Sequence, residues 1–145
     1  MLKVIRRKFK KFFREFLLYH NSSLEYRAKI FTLVVAANER IGKSEDRLLM
    51  ELACDIYKND EERCEILVET VKEYFEKVIT NNGLDFEHLV FQVEKDTRNV
   101  KRFSEKIDIN ALMQFQKCEM TEEEKLYQLR VIEFLTDLKE RYSLK

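Results

Sequence analysis

Residues 59–83 read NDEERCEILVETVKEYFEKVITNNG, and both the start and the stop of a helix are written in them. Asn59-Asp60-Glu61-Glu62 supplies a capping side chain followed by acids that favour the positive N-terminal end of a helix. Ile66, Leu67, Val71, Tyr74, Phe75 and Val78 then recur at spacings of three and four, which lines one face of a 3.6-residue period. Asn81-Asn82-Gly83 ends the run, with Gly83 suited to the left-handed C-cap. The rest of the chain follows the same grammar.

Ser22-Ser23-Leu24-Glu25 reads as a capping box for a helix carrying Tyr26, Ile30, Leu33, Val34 and Ala37, ending near Asn38. Ser44, followed by Glu45 and Asp46, opens a helix that packs Leu48, Leu49, Leu52, Ala53 and Ile56. Asp85 caps a helix with Phe86, Leu89, Val90 and Val93. Residues 97–108 are mostly polar and carry no clear period. A further helix holds Ile109, Leu112, Met113 and Phe115, and Thr121-Glu122-Glu123-Glu124 is a third capping box, opening the last helix. The chain has no proline and two glycines in 145 residues, so helix breakers and hairpin turns are scarce. The reading is an all-α bundle of about seven antiparallel helices with short connections. Its size suits one core: a helical domain over residues 21–145 behind an N-terminal segment of residues 1–20.

That N-terminal segment is unlike the rest. Residues 1–14 hold seven bases and no acid, which leaves 20 bases and 27 acids in the remainder, so a formal net charge of zero hides a basic tip on an acidic body. Leu2, Ile5, Phe9, Phe12, Phe13 and Phe16 fall on one helical face, and Lys3, Arg7, Lys10 and Arg14 recur on another. Three readings are open. The helix packs its Phe stripe on the acidic body, or it lies on an anionic membrane surface with Arg6, Arg7, Lys10, Lys11 and Arg14 near the lipid and Phe9, Phe12 and Phe16 inserted, or it contacts nucleic acid through phosphates. The acidic body repels a polyanion and disfavours the third. A Phe stripe left exposed also offers a homodimer contact. The bases are threaded among the apolar residues, so no secretory signal is expected, and no apolar run reaches the roughly 20 residues that span a bilayer. Cys54, Cys64 and Cys118 are odd in number and widely spaced, as for reduced thiols of a cytoplasmic protein, and are expected to be small buried hydrophobes.

No catalytic constellation is legible. His20 and His88 stand alone, and there is no glycine-rich phosphate loop, metalloprotease His-Glu pair or EF-hand spacing. The expectation is a non-enzymatic chain without a cofactor, acting through a protein partner.

One pattern occurs twice. Residues 36–45, Ala36-Ala37-Asn38-Glu39-Arg40-Ile41-Gly42-Lys43-Ser44-Glu45, close one helix and open the next, and residues 116–124, Gln116-Lys117-Cys118-Glu119-Met120-Thr121-Glu122-Glu123-Glu124, do the same. Each has one apolar residue in the turn (Ile41, Met120) and a small or hydroxyl residue three before a glutamate. Over roughly Leu24 to Tyr142 the chain resembles the tellurite-resistance TerB-like family, whose members carry such a turn twice, as Ala-Asp-Gly-x-Ile/Leu-Ser-x-x-Glu. The resemblance implies a TerB-like bundle, a link to stress response, and turns whose acids gather near one another, where metal binding has been proposed. Glu45 and Glu124 match the family's glutamates. Its aspartates fall at Asn38 and Lys117, and its glycines at Glu39 and Cys118. Two negative charges are thereby lost, and Lys117 places an ammonium where a cation would sit, so an ion pair from Lys117 to Glu45 or Glu124 is expected in place of metal. The alternative is a divalent metal-ion-binding or metal-sensing protein using Glu45, Glu124, Asp46, Glu119 and Glu123. The family's domain type also precedes the J domain of membrane-associated co-chaperones. The His-Pro-Asp motif of that domain is lacking here. The expected location is cytoplasmic, with the basic N-terminal helix holding the chain at the inner face of a membrane as a peripheral protein.

Overall fold

The computed structural model of the chain describes residues 22–38, 40–80 and 85–143. The basic segment and the stop at Asn81-Asn82-Gly83 lie outside them. The described residues form six α-helices: α1 (Ser22–Val35), α2 (Lys43–Ile56), α3 (Glu61–Ile79), α4 (Phe86–Asn99), α5 (Ile109–Met113) and α6 (Glu122–Arg141). Two 3₁₀ turns, Lys101–Lys106 and Gln114–Lys117, flank α5, and no strand occurs among the described residues.

Helix α1 is the centre of the bundle. It packs chiefly on α3, and also on α4, α6 and the first 3₁₀ turn. Leu24, Tyr26, Ala28, Ile30, Phe31, Leu33, Val34 and Val35 are all buried, on every side of the helix. A helix surrounded on all sides needs apolar residues all round rather than one stripe. That explains why the stripe read from sequence accounts for only part of its buried surface. The outer helices bury one face each, and full burial of a Leu or Phe there is worth roughly 1.5–3 kcal/mol.

Most helix starts are set by the expected side chains. Asp60 accepts from the Arg63 amide at 3.1 Å and Asp85 from the His88 amide at 2.6 Å. Thr121 and Glu124 form a reciprocal capping box. The start of α2 differs from expectation. Its N-cap is Gly42, which has no side chain to offer, and Ser44 lies inside the first turn. Asn59 adopts a positive φ of 64° in the tight turn between α2 and α3, a conformation that asparagine tolerates better than most residues.

The polar stretch before α5 is short 3₁₀ structure because few of its residues face the core. Phe103 stacks on Tyr26 with ring centroids 4.4 Å apart, and Ile107 is fully buried. Phe103 holds an otherwise polar segment against α1, and Ile107 sinks its far end into the core. The buried Tyr26 hydroxyl bonds the Thr97 hydroxyl at 2.6 Å, and desolvation pushes its pKa up to about 12. The helix expected across Ile109–Phe115 is α5 followed by the second 3₁₀ turn. That tightening turns Phe115 inward, edge-on to Phe31.

Candidate functional site

The two repeated turns meet. The C-terminal end of α1 leaves carbonyls without helical partners, as every helix does. One of them, Val34 O, accepts a hydrogen bond from Gln128 Nε2 of α6 at 3.1 Å, and Gln128 is fully buried. Gln128 Oε1 in turn accepts from Gln116 Nε2 at 2.7 Å. Gln116 Nε2 also donates to Lys125 O. This chain of amides ties the second turn to the end of α1, where the first turn begins.

Between the turns lies a cleft of about 950 Å³. The first turn contributes Asn38, Arg40, Ile41, Gly42, Lys43, Ser44, Glu45 and Arg47, and the second Glu119, Met120, Thr121 and Glu124. Three bases and three acids therefore face one space. Arg40, Lys43 and Arg47 engage no carboxylate among the described residues, so they present unneutralised charge to it.

Glu45 is the chemical centre of the first turn. It is only 3% exposed, yet no base pairs with it among the described residues. Its support is local. It stands at the third position of α2, near the positive end of the helix dipole. Asn38 Nδ2 donates to its Oε1 at 2.9 Å, and Ser44 Oγ lies 3.4 Å from its Oε2. Gly42 makes the room. A methyl group added at its α-carbon would come 2.6 Å from Glu45 Oε2, far inside contact distance. Asn38 is itself 4% exposed, and its Oδ1 has no hydrogen-bond partner. A buried acceptor left in that state costs about 1–3 kcal/mol.

The second turn reaches across at Cys118, which is buried. Desolvation pushes its thiol pKa up; the Ser44 hydroxyl works against that and the nearby Glu45 charge adds to it. Glu124 lies at the cleft but is committed to helix capping. Its Oε1 accepts from the Thr121 amide at 2.9 Å, and the Thr121 hydroxyl accepts from the Glu124 amide at 3.1 Å. The Thr121 amide and then its hydroxyl hold the Glu124 carboxyl below the usual range.

The residues read from sequence thus separate. Glu45, Glu119 and Glu124 share the cleft. Asp46 faces away and pairs with Lys72 of α3 at 2.7 Å, in a half-exposed bridge of the kind worth at most about 1 kcal/mol. Glu123 is exposed and does not line the cleft. Lys117 is exposed, and among the described residues it forms no ion pair with Glu45 or Glu124. The partner of Glu45 is the neutral amide of Asn38 instead. Among the described residues no group of three or more His, Cys, Asp or Glu side chains is arranged to hold a metal ion. The membrane-facing set of Arg6, Arg7, Phe9, Lys10, Lys11, Phe12, Arg14 and Phe16 lies outside the described residues. Sequence reading missed the roles of Gly42 and of Asn38 Oδ1. A glycine three residues before a glutamate, in a chain with only two glycines, was the available signal for the first.

Comparison with protein-family models, with curated proteins and with solved structures finds no match to this chain.

Proposed function

We propose that the chain is a non-enzymatic, TerB-like interaction module that takes a group of its partner into the cleft between the two turns. In this reading residues 1–20 hold it at the inner, cytoplasmic face of a membrane, and the family resemblance points to a role in stress response. One observation carries the reading. Two turns some eighty residues apart in sequence, already paired by their pattern, line a single cleft that holds a buried, unmatched acceptor at Asn38 and three unpaired bases. The one described histidine supports a non-catalytic role, since His88 is exposed and its Nε2 meets Gln92 rather than a nucleophile. No described helix is long and apolar enough to cross a membrane, which is compatible with peripheral attachment.

The test is site-specific photo-crosslinking in cells. A crosslinker at Met120, in the cleft, is expected to yield discrete adducts that the same group at exposed Glu69 of α3 does not. Equal patterns from both positions would remove the cleft as the partner site. The tether is tested by vesicle flotation. The full chain is expected to float with anionic vesicles at low salt and to sink at high salt. Replacing Arg6, Arg7, Lys10, Lys11 and Arg14 with glutamate should abolish flotation.

A second reading, a divalent-cation site, is favoured by the same orphaned Asn38 Oδ1 beside Glu45, since a cation needs oxygen ligands of this kind. It requires Glu119 or Glu124 to swing inward. It predicts a Tm that rises with added magnesium, calcium or manganese and falls with chelator. A Tm indifferent to all of them removes it.

A further inference from the structure

Away from the cleft, at the other end of α2, two cysteines ten residues apart in sequence are brought together. Cys54 is in the last turn of α2 and is exposed, whereas Cys64 is in the first turns of α3 and is 3% exposed. The tight turn through Tyr57 and Asp60, with Asn59 in its left-handed conformation, folds α3 back onto α2. It brings Cys64 Sγ to 3.6 Å from Ala53 O and 3.4 Å from Tyr57 O. Those two carbonyls belong to the residue just before Cys54 and the residue three after it, so the Cys64 sulfur sits under the very turn that carries Cys54. The Cys64 thiol thus packs against the backbone on both sides of Cys54.

The geometry points to a reversible redox site in which Cys54 and Cys64 form an intramolecular disulfide when the protein meets a hydroperoxide. The exposed Cys54, as thiolate, attacks one peroxide oxygen. An S–O bond forms, the O–O bond breaks, and the departing oxygen takes a proton and leaves as water or an alcohol. Cys54 is then a sulfenic acid. Cys64 sulfur attacks the Cys54 sulfur, the S–S bond forms, and the hydroxyl leaves with the Cys64 proton as water. Two thiols lose two electrons in all, and one peroxide gains them. A small-molecule dithiol reverses the step.

The order of events follows from exposure. Cys64 is almost fully buried, and its pKa is pushed up to about 11, first by desolvation and then by the Cys54 thiol. It is therefore protonated and inert until a sulfenic acid forms next to it. Bond formation strands no buried carbonyl. Ala53 O still accepts from the Tyr57 amide and Tyr57 O from the Asp60 amide after the Cys64 S–H is gone. Cys54 lies on the surface, so its side chain is free to rotate into disulfide geometry, whose demands are narrow. Cys118 is buried near Ser44 and Glu45, away from Cys54 and Cys64, and serves as the internal control. The inference is independent of what the cleft binds.

The experiment treats the reduced full chain with hydrogen peroxide under native conditions, blocks remaining thiols by alkylation, and maps tryptic peptides without reduction. The expected result is peptide 48–58 joined to peptide 64–72 in most monomeric chains, with Cys118 alkylated and the bond lost on reduction. In Cys64→Ser the Cys54 sulfenic acid should persist and be trapped by dimedone, whereas in the unaltered protein it should not. Three results would overturn the inference: Cys54 over-oxidised with Cys64 still alkylated, a Cys54–Cys54 dimer, or a Cys54–Cys64 bond that forms only in urea. If Cys64→Ser does not fold, the peptide map of the unaltered protein decides alone.

Discussion

The turn at residues 36–45 and the turn at residues 116–124 place a glutamate at the same helical position, third after the cap, and use it in opposite ways. Glu124 closes a capping box with Thr121 and stays at the surface. Glu45 has no capping hydroxyl three residues back, only Gly42, and is buried against Asn38. The difference comes from what each turn meets. The first turn ends the central helix and buries Asn38 and Glu45 together, so the carboxylate takes its hydrogen bond from the amide. The second is covered on one side only, where Cys118 and Gln128 are buried, while Glu122 and Glu123 remain in water. The pattern sets the register of the glutamate, and the depth of the turn sets its chemistry.

Exchanging the two solutions tests this. The largest effect is expected from Asn38→Asp, which sets a second carboxyl against buried Glu45 in place of a donor. The loss should be about 3–5 kcal/mol in urea denaturation, the cost of an uncompensated buried charge. Recovery of that loss by a divalent cation would show that the cleft accepts one once the charge is supplied. A change below about 1 kcal/mol would show that Glu45 is not the buried partner of Asn38.

Gly42→Ala comes next. Its methyl group would meet Glu45 Oε2 at 2.6 Å, so the carboxyl must leave Asn38 or the turn must open. A loss of about 1–3 kcal/mol is expected. A stabilised variant would mean that Glu45 moves freely and that the first turn is as open as the second.

Thr121→Ala removes the matching group from the second turn, where nothing is buried against it. It should cost about 1 kcal/mol, the usual value of a lost N-cap. The same variant carries a pH signature. Glu124 is held below its ordinary value, so its contribution is complete above about pH 4.5 and is lost as pH falls through the lowered native value. Melting curves in acid should show that loss in the unaltered protein and a shallower one in Thr121→Ala. Identical acid profiles would mean that the capping box does not hold the carboxyl in solution.

The smallest effect is expected from Lys117→Ala. Lys117 is exposed and joins neither glutamate, so stability should change by less than about 0.5 kcal/mol. A larger loss would revive the ion pair that the second turn was expected to supply.

What the residues by themselves determined is the helical class, most of the boundaries and the kinship of the two turns. Those depend on local chemistry: apolar spacing, capping side chains at Asp60, Asp85 and Thr121, and the scarcity of glycine and proline. Where a cap was misplaced, at Ser44 rather than Gly42, the local signal was ambiguous because a glycine caps with backbone alone. Only the tertiary structure decided which acids matter. Glu45 and Asp46 are neighbours in sequence and alike in charge, yet one is buried beside Asn38 and the other pairs with Lys72 at the surface. Nor does the spacing of Cys54 and Cys64 reveal that a left-handed Asn59 folds one thiol under the other's turn. Burial and long-range contact depend on how whole helices pack, and a local pattern contains no record of what will be laid over it.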